Sequence, residues 1–162
     1  MPKTFTSYFE SPIGSIKLTT SEDAVLSAEF KNEPQTSDFE LPEIALNLQK
    51  QLKLYFEGNL LEFDLKLDPQ GTDFQKRVWR ELTNIPFGKN ASYMDMAVKL
   101  GDPKVIRAAA SANGKNPIAI IIPCHRVIGK DGSLTGYAGG LHRKKWLLDH
   151  ENKLANGVLE LF

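Results

Sequence analysis

The chain has 162 residues, 41% of them hydrophobic, a formal net charge of zero and a single cysteine. That is enough to bury a core in one large domain or two small ones; one cysteine excludes an internal disulfide and a multi-thiolate zinc cluster, and fits a reducing, cytoplasmic setting. The start "MPKTFTSYFESPIG" has no basic stretch leading into an apolar one, and no apolar run reaches the roughly 18 residues of a membrane span, so neither a signal peptide nor a transmembrane helix is expected.

The neutral total hides a division. Residues 1–70 hold 6 Lys+Arg and 12 Asp+Glu, a net −6, whereas residues 71–162 hold 14 and 8, a net +6. An acidic and a basic half read as separate regions, and the basic one is compatible with phosphate contacts without requiring them. In chain order, "TFTSYFES", "GSIKLTTS" and "AVLSAEFK" are short, partly alternating and separated by the turn formers "SPIG" and "SED", which predicts a small antiparallel meander. A loop follows, then Ile44, Leu48, Leu52 and Tyr55 recur near helical spacing up to Gly58, a helix to cover one face of the sheet. Composition changes near Asp68 to Gly71. The expected organisation is α+β: a sheet-and-helix domain over 1–70 and a mostly helical domain with a helix-turn-helix over 71–162.

In "TDFQKRVWRELTNI", Thr72 or Asp73 is the candidate N-cap, and Phe74, Val78, Trp79 and Leu82 form an apolar face. "SYMDMAVKLG" and "DPKVIRAAASANG" predict two short helices across "LGDP", with Gly101 closing the first and Pro103 opening the second, a pattern that serves DNA binding or ordinary packing. The second of them sets a long cation, Arg107, beside Ala108, Ala109, Ala110, Ser111 and Ala112; so small a surface packs closely against its own domain or against a nucleic-acid groove. The last helix is read from "LHRKKWLLDHENKL", which brings Trp146, Leu147 and His150 or Glu151 within about one turn.

The cysteine follows "NPIAIIIP". Ile118, Ile120, Ile121 and Ile122 read as a buried extended segment that delivers Cys124 at the end of a rigid element, Pro123 favouring extended backbone before it. A lone cysteine is commonly a small buried hydrophobe; beside a histidine it is also a candidate nucleophile, provided its pKa is lowered. Adjacent side chains in a strand or helix do not face each other, so the expected link from His125 to the sulfur is a bridging water, with a carboxylate on the other imidazole nitrogen. Asp131, Asp149 and Glu151 are the candidates, and sequence distance does not choose among them. Asn116, ahead of Pro117, reads as a turn residue able to brace the segment before Cys124. "GKDGSLTGYAGGL" reads as a glycine-rich loop around Tyr137, either a mobile linker or the wall of a flat pocket. No phosphate-binding glycine loop or multi-cysteine metal motif occurs, and no metal is expected.

Over roughly residues 72–151, the stretches "FQKRVW", "IPFG", "SY", "RAAASANGKNPI", "IPCHRVIGKDGSLTGYAGGL" and "KKWLLDHE" resemble the O6-alkylguanine-DNA alkyltransferases, which reverse DNA damage directly. Residues 1–70 match only in their sheet-then-helix outline. The resemblance implies a Cys124 thiolate that takes the alkyl group from guanine O6, and from thymine O4, once per molecule, with no cofactor because the damaged base is the donor. It implies His125 as the water-mediated base, Glu151 as its orienting carboxylate, Asn116 as the brace of the active-site turn and Tyr93 as the phenol that protonates the departing guanine. Tyr137, with the backbone of Val127 and Ala138, corresponds to the guanine pocket. Arg107 corresponds to the finger that fills the space of the flipped nucleotide, and Ser92, Lys104, Ala108 and Ala112 to the surface that meets double-stranded DNA in its minor groove, the protein acting as a monomer. Members of the family commonly carry Gly where this chain has Ala110, and some carry Ser where it has Ala138. Two rivals are an alkyltransferase-like module that binds the lesion without transfer, whose members lack the reactive cysteine, and a turnover Cys/His hydrolase.

Overall fold

A computed structural model describes residues 3–33 and 35–157, and the chain divides into two units at Gln70/Gly71, with Pro117–Ala119 returning to the first. Residues 158–162, which fall in the expected second domain, lie outside the described residues.

The first unit is built on the meander. Strands β1 (Phe5–Ser11), β2 (Gly14–Thr20) and β3 (Val25–Lys31) pair antiparallel in that order. Their partial alternation buries Phe5, Ile16, Leu18, Val25 and Ala28. Helix α1 (Glu43–Phe56) adds Leu48, Leu52 and Tyr55 to the core, and Gly58, at φ 84°, ends it in the left-handed conformation that a residue with a Cβ adopts at a cost. The edge of β3 gains two short parallel bridges, Val25 with Leu67 and Ala28 with Ile118. In the second of these, Ala28 N donates to Pro117 O at 2.9 Å and Ala119 N donates to Ala28 O at 3.0 Å.

The second unit opens with helix α2 (Asp73–Leu82), whose start is fixed by a reciprocal cap: Gln75 N donates to Thr72 Oγ1 at 3.1 Å, and Thr72 N donates to Gln75 Oε1 at 2.9 Å. Val78, Trp79 and Leu82 are buried as expected, while Phe74 is half-buried. Next come the short strand β4 (Ala91–Ser92) and helix α3 (Tyr93–Lys99), capped by Ser92. Gly101 turns the chain at φ 97°, and a 3-10 turn over Pro103–Val105 leads into α4 (Ile106–Gly114), completing the helix-turn-helix. Helix α4 is held to α2 where Trp79 Nε1 donates to Ala112 O at 2.9 Å. Strand β5 (Val127–Ile128) pairs in parallel with β4, a pairing too short to leave a pattern in the sequence, and it sets the start of α3 beside the segment that follows Cys124. Helix α5 (Leu141–Asn156) buries Lys144, Leu147, Leu148 and Glu151, spaced as one helical face.

The isoleucine run departs from expectation. All four residues are buried, but residues 119–121 form a turn and Ile120 lies at φ 73°, a region that β-branched residues rarely enter; only Ile118 bridges a strand. An apolar run reports burial and leaves backbone direction open. Among the described residues, no helix is long and apolar enough to cross a membrane, and no group of three or more His, Cys, Asp or Glu side chains is arranged to hold a metal ion.

Candidate active site

Cys124 opens a 3-10 turn over Cys124–Arg126 and is 6% exposed. The turn sends the next two side chains inward. His125, wholly buried, lies with Nε2 2.7 Å from Glu151 Oε2. Arg126, also buried, donates from Nε to Glu151 Oε1 at 2.7 Å, from Nη2 to Oε2 at 3.0 Å and from Nη1 to Ile85 O at 2.6 Å. The geometry therefore selects Glu151 among the three candidate carboxylates. Asp131 is exposed and accepts from Ser133 N at 3.0 Å, and Asp149 pairs with Lys145 at 2.7 Å.

Burial alone would push the Glu151 carboxyl up, but the imidazole of His125 and the guanidinium of Arg126 overcome it and hold Glu151 well below the usual carboxylate range. Burial lowers the His125 pKa against the pull of Glu151, and the charges of Arg126 and Lys144 add to the lowering. The imidazole thus rests neutral between its ionised neighbours. With a carboxylate at Nε2, the proton sits on that nitrogen and Nδ1 keeps the lone pair. Nδ1 is buried and meets no hydrogen-bond partner among the described residues.

The sulfur reverses one expectation. Burial raises the Cys124 pKa, and the hydrogen bond from Asn116 and the charge of Lys144 only partly offset it. The resting site accordingly holds a thiol beside a neutral imidazole, because a sulfur shielded from water loses the solvation a thiolate needs.

Asn116 braces this turn from both sides: its amide donates to Ile122 O at 2.8 Å and hydrogen-bonds Cys124. Tyr93, the first residue of α3, has its hydroxyl oxygen accepting from Thr135 Oγ1 at 3.0 Å, which leaves the phenol proton to be donated elsewhere. Tyr137 is half-buried, and burial, then Cys124 and Glu151, drive its phenol pKa well up, so it stays neutral. Val127 lies buried on β5 with its carbonyl accepting from Lys144 Nζ at 2.6 Å; Lys144 also donates to Thr135 O at 2.8 Å. Ala138 is exposed.

Arg126 and Lys144 were not among the residues singled out from the sequence, since a basic side chain reads as surface by default. For Lys144 a signal existed: it falls three, four and seven residues before Leu147, Leu148 and Glu151, on the apolar face of α5. On the helix-turn-helix, Lys104, Arg107, Ala108 and Ser111 are exposed, and Ser92 is half-buried with its hydroxyl capping α3. Ala112 does not share that surface. It is 3% exposed and packs inward at the contact with Trp79, so it offers nothing to a docking partner.

Two family profiles match the chain: "6-O-methylguanine DNA methyltransferase, ribonuclease-like domain" over residues 4–69 and "6-O-methylguanine DNA methyltransferase, DNA binding domain" over residues 73–153. A protein named methylated-DNA--protein-cysteine methyltransferase from Methanosarcina barkeri is 48% identical over 151 residues, covering 90% of this chain and 96% of the relative. One of the same name from Mycobacterium tuberculosis is 55% identical over 112 residues, 69% of this chain and 68% of the relative. Among solved structures, Mycobacterium tuberculosis O6-methylguanine methyltransferase superposes with a TM-score of 0.85 at 42% identity, covering 94% of this chain and 95% of that one. Mycobacterium tuberculosis OGT in complex with DNA gives 0.83 at 44% identity with the same coverage. The chain belongs to the 6-O-methylguanine DNA methyltransferase family.

Proposed function

We propose that this protein repairs alkylated DNA by moving the alkyl group from O6 of guanine to Cys124, once per molecule. The observation that carries the reading is the buried imidazole of His125, bonded to Glu151 at 2.7 Å through one nitrogen while the other holds a free lone pair in the turn that carries the sulfur. A water between Nδ1 and the sulfur satisfies that lone pair and gives the thiol proton a path out.

The reaction then balances as follows. The thiol proton passes through the water to His125, whose positive charge Glu151 stabilises, and the sulfur attacks the alkyl carbon. The S–C bond forms as the C–O6 bond breaks, and the electron pair leaves with the guanine. Tyr93, oriented by Thr135, donates its proton to the departing base and recovers one from the imidazolium by way of solvent. The product is a thioether at Cys124 and an intact guanine. A thioether carbon is a poor target for water, so the protein is used once, and no other alkyl donor is needed.

The target atom is stacked inside a duplex, so the base has to be flipped out, at a cost of a few kcal/mol that is least for a damaged pair. Exposed Arg107 on a helix of small side chains suits filling the vacated space, with Ala108, Lys104 and Ser92 facing the minor groove of double-stranded DNA. Tyr137, Ala138 and the backbone of Val127 form the base pocket, and the unit beginning at residue 71 carries both DNA binding and transfer. The protein acts as a monomer in a reducing compartment, where a free thiol survives.

Incubation with an O6-methylguanine duplex, followed by peptide mass spectrometry, tests the reading. A gain of one CH2 on the Cys124 peptide, reaching a plateau at one equivalent, is expected. Unmodified protein in a tight complex makes it a lesion-binding module, and continued product release beyond one equivalent makes it a hydrolase.

A further inference from the structure

Lys144 takes no part in the reaction set out above, yet it is the most deeply buried cation among the described residues, at 0% exposure. Arg126 has Glu151 for a partner; among the described residues Lys144 pairs with no carboxylate. A buried ammonium without a counter-anion is costly, and here it is held by two carbonyls from separate segments. One is Val127 O on β5, three residues after the nucleophile, and the other is Thr135 O in the glycine-rich loop, two residues before Tyr137. Thr135 in turn donates to the Tyr93 hydroxyl. A single cation thus ties together the strand behind the sulfur, the loop that walls the base pocket and the phenol. The titratable groups that feel its charge are Cys124, whose burial-raised pKa it partly offsets after the Asn116 hydrogen bond, and His125, whose pKa burial chiefly lowers and Lys144 lowers slightly further.

We propose that Lys144 is a positioning residue for the transfer: it latches the glycine-rich loop onto β5 and, held at the carbonyl three residues after the nucleophile, supplies the positive charge that favours the Cys124 thiolate. The inference rests on the alkyl-transfer reading for the reaction it serves, but the acidity of Cys124 is measurable without DNA, so the two fail separately.

The test compares wild type with Lys144→Gln, which keeps a donor for the carbonyls but loses the charge, and with Lys144→Arg, which keeps the charge. The readouts are the pH profile of Cys124 modification by iodoacetamide without DNA and single-turnover transfer from an O6-methylguanine duplex. In Lys144→Gln the iodoacetamide inflection is expected to rise by about one pH unit, a tenfold loss of thiolate at any pH below it, and transfer to slow about tenfold or more. Lys144→Arg keeps the wild-type inflection. An unmoved inflection in folded Lys144→Gln overturns the counter-charge role. A moved inflection with no transfer by wild type supports it and overturns the repair reading instead.

Discussion

The two units bury different kinds of side chain. The first packs Ile16, Leu18, Val25, Leu48, Leu52 and Tyr55, and its buried polar residues are Ser7, Ser15, Thr20 and Gln51, none of which carries charge. The second buries His125, Arg126, Lys144 and Glu151 within a single site. Apolar burial stabilises at about 25 cal/mol per Å², whereas a buried ion contributes little net stability and becomes a liability of several kcal/mol once its partner is removed. One unit is therefore an ordinary core, and the other holds charges at a cost around a buried sulfur, where the proposed transfer would use them.

That contrast is tested hardest at Glu151. Glu151→Gln leaves Arg126 buried without its anion and is expected to cost about 3–5 kcal/mol in urea denaturation; it also moves the pH profile of Cys124 alkylation. Leu48→Ala in the first unit is expected to cost about 2–5 kcal/mol by leaving a cavity, with the Cys124 profile unchanged. A shifted profile in Leu48→Ala would end the distinction.

Acid should separate the units next. The folded Glu151 carboxyl titrates below its unfolded value of about 4.3, so the stability from its charge is complete above that value and is lost as pH falls through the folded one. The folded His125 pKa also lies below its unfolded value of about 6.5, so stability falls as pH drops from there toward the folded value. Both act in the same direction. Hydrogen-exchange protection at Leu147 and Leu148 is expected to fall between pH 7 and pH 5 while that at Leu48 and Leu52 holds; equal losses would contradict the assignment.

Within the second unit, the exposed face of α4 divides from the buried site. Arg107→Ala is expected to slow transfer from duplex DNA by about tenfold and to leave reaction with free O6-benzylguanine unchanged, since an exposed finger acts on the duplex and leaves the thiol alone. Comparable losses on both substrates would remove it from that role. The smallest effect is expected at Ala138→Ser, an exposed position where stability should change by less than about 0.5 kcal/mol. Its effect should be confined to the rate with bulky alkyl groups, measured as the ratio of benzyl to methyl transfer.

Much of this architecture was legible in the amino-acid order because local physics decides it. Alternation marks β1 to β3, helical spacing marks α1 and α2, and Thr72 or Asp73 marks where α2 begins, the structure settling on Thr72. Cys124 and His125 stood out by adjacency. Their carboxylate partner was one of three by sequence alone and was singled out only by the resemblance: Glu151 lies 26 residues from His125, and the docking of α5 brings it there. Arg126 and Lys144 look like surface until the fold wraps them. The isoleucines declared their burial but not their path, because Ile120 takes a left-handed turn that no local preference would choose.

The bridge between Ala28 and Ile118 has a bearing on dissection of the protein. A fragment starting at residue 71 retains the Cys124–Arg126 turn, yet it deprives Pro117 O and Ala119 N of their partners on Ala28, next to an isoleucine that is fully covered in the intact chain. Those three residues lie between Asn116 and Cys124 in the sequence, so excision leaves that stretch without its backbone partners. The first unit thus includes Pro117–Ala119, and a cut at residue 70 divides that unit rather than separating two whole ones.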